Sequence, residues 1–268
     1  MLQNFRAIVL SRKQFGENDL LACLITDEGQ LLKTILKGGG RPASRRRAHI
    51  EPANLVNGTV YSARAESAGS TAGRAFSYAR EIKSEKSFTG LKSNFEKIEK
   101  TQCLLKIIEN CLYENHAEKG IFNLLLETLT ELNSPAAAPL TDEIAKVKLL
   151  DTLGLLPNFK ECSCCHNHEK ESALWICTDK TLYCESCRAT HGEDHTTNQA
   201  NQSAELETKY RKALEFFRTH PISESRNLRT NPDEETKLKS IILNLSAGLL
   251  PHGAYKTHAV KSAKLTAT

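Results

Sequence analysis

Residues 20–36 read LLACLITDEGQLLKTIL, two short apolar runs on either side of a polar turn. The runs cover Leu20–Thr26 and Leu31–Leu36, and their composition is typical of buried strands. The turn, DEG at residues 27–29, ends in a glycine, which accepts the positive φ of a tight connection. The segment therefore predicts an antiparallel β-hairpin.

Further apolar runs flank this hairpin. They cover Phe5–Leu10 and Leu55–Tyr61, and a fifth strand is expected near Ala75–Ile82. Five short strands within about 80 residues are typical of a small barrel, and an OB-fold is one such architecture. The strand pattern alone fits an SH3-like barrel nearly as well. We therefore predict a small β-barrel domain over residues 1–82.

The spacing of apolar residues changes from strand-like to helix-like after Ser84. The predicted helices cover residues 95–112, Lys119–Leu132, a segment from Thr141 that stops before Pro157, Glu205–Thr219 and Asp233–Leu249. The fold class is therefore α+β, a five-stranded barrel followed by a helical bundle that carries a cysteine-rich module.

The domain organisation follows from these runs. We expect a helical domain of residues 83–160 and 205–250, with a zinc-binding module inserted at residues 161–190. Residues 188–204 contain no apolar residue larger than alanine, which predicts a mobile loop. Residues 251–268 contain three lysines and no acidic residue, which predicts a basic, disordered tail.

The cysteine-rich module contains two C-x2-C pairs. They are Cys162 with Cys165 and Cys184 with Cys187, and 18 residues separate them. This spacing is typical of a closed four-thiolate zinc site, in which no coordination position stays open for catalysis. We therefore predict a structural Zn²⁺ ion. By this spacing Cys164 and Cys177 are spare. The pattern leaves open whether Cys164 or a histidine replaces one of the four ligands, and the histidines concerned are His166, His168, His191 and His195.

The net charge of +4 is distributed unevenly. Residues 1–82 hold 12 Lys and Arg against 7 Asp and Glu, which predicts a polyanionic partner for this part of the chain. Residues 1–10 lack the apolar core of a secretory signal, and no stretch reaches the ~20 apolar residues of a membrane helix. We expect a cytoplasmic protein with reduced cysteines and no membrane partner.

The highest density of positive charge lies in residues 37–47, which read KGGGRPASRRR. A bound phosphate backbone would relieve the repulsion between these cations, and the neighbouring glycines leave the main chain accessible. We therefore predict that this loop, between the third and fourth strands, binds nucleic acid. The candidate contacts are Lys37, Arg41, Arg45, Arg46 and Arg47.

Aromatic residues that could stack on bases are few in this part of the chain, and we expect most of them in the core. They are Phe5, Phe15, Tyr61, Phe76 and Tyr78. Affinity for nucleic acid is then expected to come mainly from phosphate contacts and to fall steeply with salt concentration.

Several short motifs follow one another along the chain. They are GEND at 16–19, TDEG at 26–29, Lys37-Gly38 followed by Arg41 and Ser44, Glu51-Pro52, and LLDTLGLLP at 149–157. In this succession the sequence resembles the RecO family of bacterial DNA repair proteins over about residues 1–190. The resemblance implies an N-terminal OB-fold and a helical domain that carries a four-cysteine zinc site.

The resemblance also implies a recombination mediator that is not an enzyme. Such proteins bind single- and double-stranded DNA, anneal complementary strands and help to load RecA where single-strand-binding protein covers the DNA. The implied partners are RecR, RecF at some substrates, and the acidic C-terminal tail of single-strand-binding protein. By position, residues 37–47 match the basic barrel loop of the family, and Arg6 and Arg12 are weaker candidates for DNA contacts. For the site that binds this acidic tail, which we call the tail site, the candidates are Lys209, Arg211 and Lys212.

Two other function classes compete with this interpretation. A zinc deaminase requires H-x-E ahead of P-C-x-x-C, whereas here HGE at 191–193 follows both cysteine pairs and no proline precedes either pair. A zinc-containing DNA-binding adaptor or transcription regulator without annealing activity is the remaining alternative. The acidic residues around the cysteines argue against base readout by that module.

Overall fold

The computed structural model describes residues 2–62, 77–112, 117–166, 174–176, 181–191, 204–227 and 230–246. The described residues up to Ala137 form one compact unit, and those from Ala138 onward form a second. The predicted boundaries at residues 82, 160 and 190 stay predictions. Other predictions fall outside the described residues, namely those on Phe76, Cys177, His168, His195, residues 192–203 of the loop 188–204, and the tail 251–268. The described ends of that loop were predicted wrongly, because residues 188–191 are helical and Ala204 lies in a strand.

Five strands of the first unit close into a barrel in the order β1-β2-β3-β5-β4. Strands β3 and β5 run parallel, and the other neighbouring pairs run antiparallel. This closed, OB-like order confirms the predicted barrel, and the predicted hairpin is formed by β2 and β3. The strands are β1 (Leu2–Phe15), β2 (Asp19–Thr26), β3 (Leu31–Leu36), β4 (Leu55–Ser62) and β5 (Ser77–Lys86).

The first strand is longer than the predicted run because it serves two neighbours. Residues Leu2 to Ile8 pair with β4, and residues Ala7 to Phe15 pair with β2. A register shift between Val9 and Ser11 interrupts the pairing with β2, and such shifts bend a strand. The bend allows one strand to close the barrel.

The interior of the barrel is filled by apolar residues that alternate along each strand, because successive side chains of a strand point to opposite faces. Small residues such as Ala7, Ala22 and Ala79 lie among larger ones, which lets the side chains fit inside a narrow barrel. The buried cluster consists of Phe5, Ala7, Val9, Leu20, Ala22, Leu24, Leu36, Ile50, Val56, Val60, Ala79 and Ile82.

Two helices follow the barrel within the same unit, α1 (Phe95–Cys111) and α2 (Lys119–Asn133). Asn94 caps α1 by accepting from the N–H of Glu96, and the side chain of Glu118 accepts from the N–H of Gly120 at the start of α2. Both helices agree with the predicted ones to within one residue at each end.

The described residues of the second unit form four α-helices and a small sheet. Helix α3 packs against α5 and α6, and strands β6 to β8 form an antiparallel sheet in the order β7-β6-β8. The elements are α3 (Thr141–Thr152), β6 (Leu174–Ile176), β7 (Leu182–Cys184), α4 (Glu185–His191), β8 (Ala204–Leu206), α5 (Thr208–Thr219) and α6 (Pro232–Leu245).

One helix start was predicted wrongly. The helix expected from Glu205 begins at Thr208, because residues 204–206 form β8 and pair with β6. Leu206 lies opposite Leu174 in that sheet and is buried there. Its apolar side chain is therefore part of a strand and not of the apolar face of the following helix. No helix among the described residues is long and apolar enough to cross a bilayer.

Candidate metal site and basic rim of the barrel

The four paired cysteines come together in the second unit. Their Sγ atoms all lie within 4.8 Å of one another, and Sγ of Cys165 is 3.8 Å from Sγ of Cys184. Four sulfurs bound tetrahedrally to Zn²⁺ at about 2.3 Å are about 3.8 Å apart, whereas a disulfide holds its sulfurs about 2.05 Å apart. The geometry therefore fits a bound metal ion.

Local hydrogen bonds bring the two pairs together. The N–H of Ser163 donates to the carbonyl oxygen of Leu182 in β7 at 2.8 Å, which joins the first pair to the strand that precedes the second. The N–H of Cys184 donates to Sγ of Cys162 at 3.3 Å. Cys184 ends β7 and Cys187 lies in the first turn of α4, so a strand and a helix hold the second pair.

Neighbouring groups shift the pKa values of the thiols in different directions. Burial raises the pKa of Cys162, but N–H groups of Cys165, Cys184 and Cys164 outweigh it and lower the pKa to about 6. The N–H of Cys187 is the main cause of the lowered pKa of Cys184. Hydrogen bonds to the sulfurs of Cys184 and Cys165 raise the pKa of Cys187, because its proton is shared among them. Four thiolates this close together would repel one another, and a bound cation would relieve that repulsion.

Of the alternative ligands, Cys164 and His166 are not members of this group of four, and the side chain of His191 lies outside the described part of the chain. Cys164 is exposed and does not belong to the group of four, although it adjoins Cys165. His166 is exposed, and its Nδ1 lies 3.7 Å from a carboxylate oxygen of Glu161. Among the described residues, these four cysteines are thus the group that could hold a metal ion.

The basic loop between β3 and β4 contains a short 3-10 helix, Arg45–Ala48, which we call the basic turn. Two main-chain contacts fix the start of this loop. The N–H of Gly38 donates to Asp19 Oδ1 at 2.8 Å, and the N–H of Gly40 donates to the carbonyl oxygen of Asn18 at 2.8 Å. The loop is therefore pinned to the turn between β1 and β2.

The three arginines of the basic turn have different environments. Arg46 is half-buried and donates to the carbonyl oxygens of Ala79 at 3.0 Å and Arg80 at 3.3 Å, both in β5. Arg45 and Arg47 are exposed, as is Arg41 earlier in the loop. Arg46 thus fastens the turn to the barrel, and its neighbours present their guanidinium groups to solvent.

The other predicted cations have carboxylate partners. Lys37 Nζ lies 2.9 Å from Asp19 Oδ2 and is exposed, so a phosphate can still reach it. The N–H of Gly38, followed by the Lys37 ammonium, holds the pKa of Asp19 below its ordinary value. Arg12 lies 2.7 Å from a Glu51 carboxylate oxygen and also donates to the carbonyl oxygen of Arg47 at 3.1 Å.

Arg6 forms a bidentate ion pair with Glu85. Its Nε and Nη2 atoms donate to the two carboxylate oxygens of Glu85 at 2.8 and 2.7 Å. This geometry satisfies the guanidinium within the protein, and the charge of the pair is zero. The structure therefore separates Arg6 and Arg12, which are paired, from the exposed arginines of the basic loop.

Aromatic residues of the barrel are more accessible than the sequence predicted. Phe5 is in the core as expected, whereas Phe15 is 38% exposed and Tyr61 is 40% exposed. Tyr61 stacks on Tyr78, with ring centroids 5.4 Å apart. Their outward orientation follows from the strand period, because their neighbours Val60 and Ala79 point into the core.

Of the three tail-site candidates, Arg211 already forms hydrogen bonds inside the protein. It is buried, and it donates to the carbonyl oxygens of Phe159 at 2.8 Å and Lys160 at 3.3 Å. It therefore holds the segment that leads into the first cysteine pair. Lys209 and Lys212 are exposed on α5, and Lys209 lies near the carboxylates of Glu207 and Glu234.

Comparison with known families matches most of the chain. A family model described as "Recombination protein O N terminal" matches residues 1–71, and one described as "Recombination protein O C terminal" matches residues 94–250. The first match covers β1 to β4 with the basic turn, and the second covers the helices and the cysteine cluster.

Individual relatives are similar at lower identity. A protein of Roseiflexus sp. named "DNA repair protein RecO" is 26% identical over 88% of this chain and 77% of its own length. One of the same name from Alkaliphilus metalliredigens is 21% identical over 90% of this chain and 91% of its own. The match to a third, from Lactobacillus helveticus, is 24% identical and spans 61% of this chain and 62% of that protein.

Proposed function

The chain belongs to the RecO family of DNA repair proteins, and on that premise we propose that it is a non-enzymatic recombination mediator. It binds single- and double-stranded DNA through the basic loop, anneals complementary strands, and helps to load a recombinase onto DNA covered by single-strand-binding protein. The observation that carries the proposal is the set of exposed arginines, Arg41, Arg45 and Arg47, on a loop fixed to an OB-like barrel.

Annealing requires that two polyanions approach each other. Phosphates of complementary strands repel, and cations that contact both strands reduce that repulsion and raise the local concentration of each strand. Base pairing then supplies the sequence specificity, so the protein contacts backbone and does not read bases. Guanidinium groups on a fixed turn suit this role because they need little ordering before they bind phosphate.

We propose that Zn²⁺ is the ion of the four-cysteine cluster and that its role is structural. Four thiolates complete a tetrahedral shell, which leaves no position for substrate or activated water. The residues that would hold it are Cys162, Cys165, Cys184 and Cys187. The metal would join the turn after α3 to β7 and α4, and so stabilise the second unit.

The proposed partners follow from family membership. They are RecR, RecF at some substrates, and the acidic C-terminal tail of single-strand-binding protein. Because Arg211 is buried, Lys209 and Lys212 are the remaining candidates among the three cations first considered for the tail. An acidic tail would have to compete with Glu207 and Glu234 for Lys209.

The decisive experiment is annealing of complementary oligonucleotides that are first coated with single-strand-binding protein. We expect the full chain to accelerate annealing without a nucleotide cofactor, and the double variant Arg45→Ala, Arg47→Ala to lose most of this acceleration. The matched control is Lys106→Ala, Lys239→Ala, which removes the same charge from helices α1 and α6 and should anneal normally.

Failure of annealing with intact DNA binding would contradict the mediator proposal. That outcome would instead favour a zinc-containing DNA-binding adaptor or regulator. Equal loss of annealing in the double variant and in the control would indicate that total charge, and not the basic turn, is responsible.

A further inference from the structure

The outer surface of the barrel carries an aromatic pair beside the basic loop. Tyr61, the last residue but one of β4, lies opposite Tyr78 of β5 in the sheet, and the two rings stack at 5.4 Å with an interplanar angle of 21°. Leu2 of β1 lies opposite Tyr61 on the other side and is 54% exposed. Leu2, Tyr61 and the half-buried Tyr78 therefore form a row across three neighbouring strands.

This row needs an explanation because the apolar residues next to the two tyrosines in β4 and β5 are buried. Val60 and Ala79, the neighbours of the two tyrosines along the chain, are each at most 6% exposed in the barrel core. Tyr61 is 40% exposed, so much of one tyrosine ring surface remains open to solvent. Clustered exposed apolar surface on a small domain commonly marks a binding site.

Positive charge lies beside Tyr78, one member of the aromatic pair. Lys37 Nζ lies 5.5 Å from the ring centroid of Tyr78, and Arg46 donates to the carbonyl oxygens of the two residues that follow Tyr78. Arg46 also donates to the carbonyl oxygen of Lys37 at 3.4 Å. The stacked rings and the basic turn therefore share one side of the barrel. The nearby carboxylate of Asp19 is already paired with Lys37.

A flat aromatic surface next to cations has the chemistry of a site for unpaired nucleobases, because a base stacks on the ring while its phosphate meets a cation. A duplex keeps its bases stacked on each other and cannot use such a surface. We infer that Tyr61, supported by Tyr78, stacks on an unpaired base of single-stranded DNA whose phosphates lie on Lys37 and the basic turn. This inference rests on the proposed DNA-binding function.

The test compares two oligonucleotides of equal length and charge, one normal and one with abasic sites throughout. We expect wild-type protein to bind the normal single strand about 5- to 150-fold more tightly, the range for one base–aromatic stack. Tyr61→Ala should bind both oligonucleotides with the same, weaker affinity, and should bind duplex DNA as wild type does. Tyr61→Phe, which keeps the ring, should behave as wild type.

A matched control is Phe95→Ala, which removes an exposed aromatic residue from α1 and should retain the preference for the normal strand. Equal affinity of wild-type protein for normal and abasic strands would overturn the stacking site and leave DNA binding by the basic turn intact. Absence of binding to either strand and to duplex would overturn the proposed function as well. The oligonucleotide comparison uses unaltered protein, so it stands even if Tyr61→Ala fails to fold.

Discussion

Arg46 donates from Nη2 to the main-chain carbonyl oxygen of Ala79, at 3.0 Å, and thereby joins the basic turn to β5. The flanking residues Arg45 and Arg47 have the same side chain but are exposed. Three consecutive arginines therefore divide into one that holds the turn in place and two that remain available for phosphate. The division gives each arginine a distinct, measurable role.

Replacing Arg45 and Arg47 together by alanine should weaken binding to all DNA sequences without changing the fold. Each lost phosphate contact reduces the slope of log affinity against log salt by about 0.7 on single strands and about 0.9 on duplex. We therefore expect a slope smaller by about 1.4 and about 1.8, respectively, in a salt titration followed by fluorescence anisotropy. An unchanged slope would remove these two arginines from the interface.

Arg46→Ala should act mainly on stability. Its hydrogen bonds to carbonyl oxygens are charge-assisted and partly shielded, so their loss should cost about 1–2 kcal/mol in the free energy of unfolding. Chemical denaturation followed by circular dichroism measures that cost. Full stability combined with a reduced salt slope would show that Arg46, contrary to its position, contacts DNA directly.

Cys184→Ser should weaken or abolish binding of the metal ion and destabilise the second unit, because metal binding and folding are coupled in four-thiolate sites. Metal content measured by plasma mass spectrometry should be about one ion per wild-type chain and much lower in the variant. The control is Cys164→Ser, since Cys164 is exposed and outside the group of four. Comparable metal loss in both variants would mean that Cys164 is itself a ligand.

Gly29→Ala should be far more harmful than Gly16→Ala, although both glycines have positive φ, +79° and +64°. A β-carbon at Gly29 would overlap the main chain of Glu118, whereas nothing lies within 4 Å of one at Gly16. We expect Gly16→Ala to cost about 1 kcal/mol of backbone strain. Gly29→Ala should cost about 3 kcal/mol or more, because an overlap is added to the strain. Thermal melting of both variants compares them, and similar melting temperatures would contradict the close approach.

Stability should depend on pH through Glu143 of α3. Burial is the largest cause that raises the pKa of this carboxyl, followed by repulsion from Asp142, and the pKa reaches about 7 although Lys146 opposes the shift. A carboxyl with a raised pKa keeps its proton in the folded state after the unfolded state has lost it. Folding stability contributed by this group therefore falls as pH rises from about 4.5 to about 7.

Glu143→Gln should flatten this dependence and give a protein that gains stability over wild type as the pH increases. Urea denaturation at pH 5 and pH 8 measures the change. Glu85→Gln serves as the control, because the hydrogen bond from Arg6 is the main cause that lowers the pKa of Glu85, and its titration then lies below this window. A wild-type stability that stays flat from pH 5 to pH 8 would contradict the raised pKa of Glu143.

Most elements of the fold were predictable because their signals are local. The hairpin of β2 and β3 follows from two apolar runs and the glycine at position 29, and β3 has the predicted bounds. Helices α1 and α2 follow from apolar spacing and from caps near their first residues. Strand β8 was missed because its three residues resemble a helix start, and its partner β6 lies about 30 residues earlier.

The metal cluster was predictable in the same way, because two C-x2-C pairs each form a turn and a hairpin brings the turns together. The pairing of Tyr61 with Tyr78 was not predictable, since the two residues belong to different strands and meet only when β4 and β5 align. Alternation with Val60 and Ala79 could have indicated that both rings point outward, but not that they touch.

By itself the sequence determined the strands of the barrel, the principal helices, the cysteine spacing and the density of positive charge, because these depend on residues close together in the chain. The tertiary structure alone decided which cations are available. Arg46 and Arg6 bond to partners in β5, 33 or more residues away, while Arg45 and Arg47 do not share those partners. Closure of the barrel brings β5 beside these side chains, and a hydrogen bond exists only where such distant groups meet.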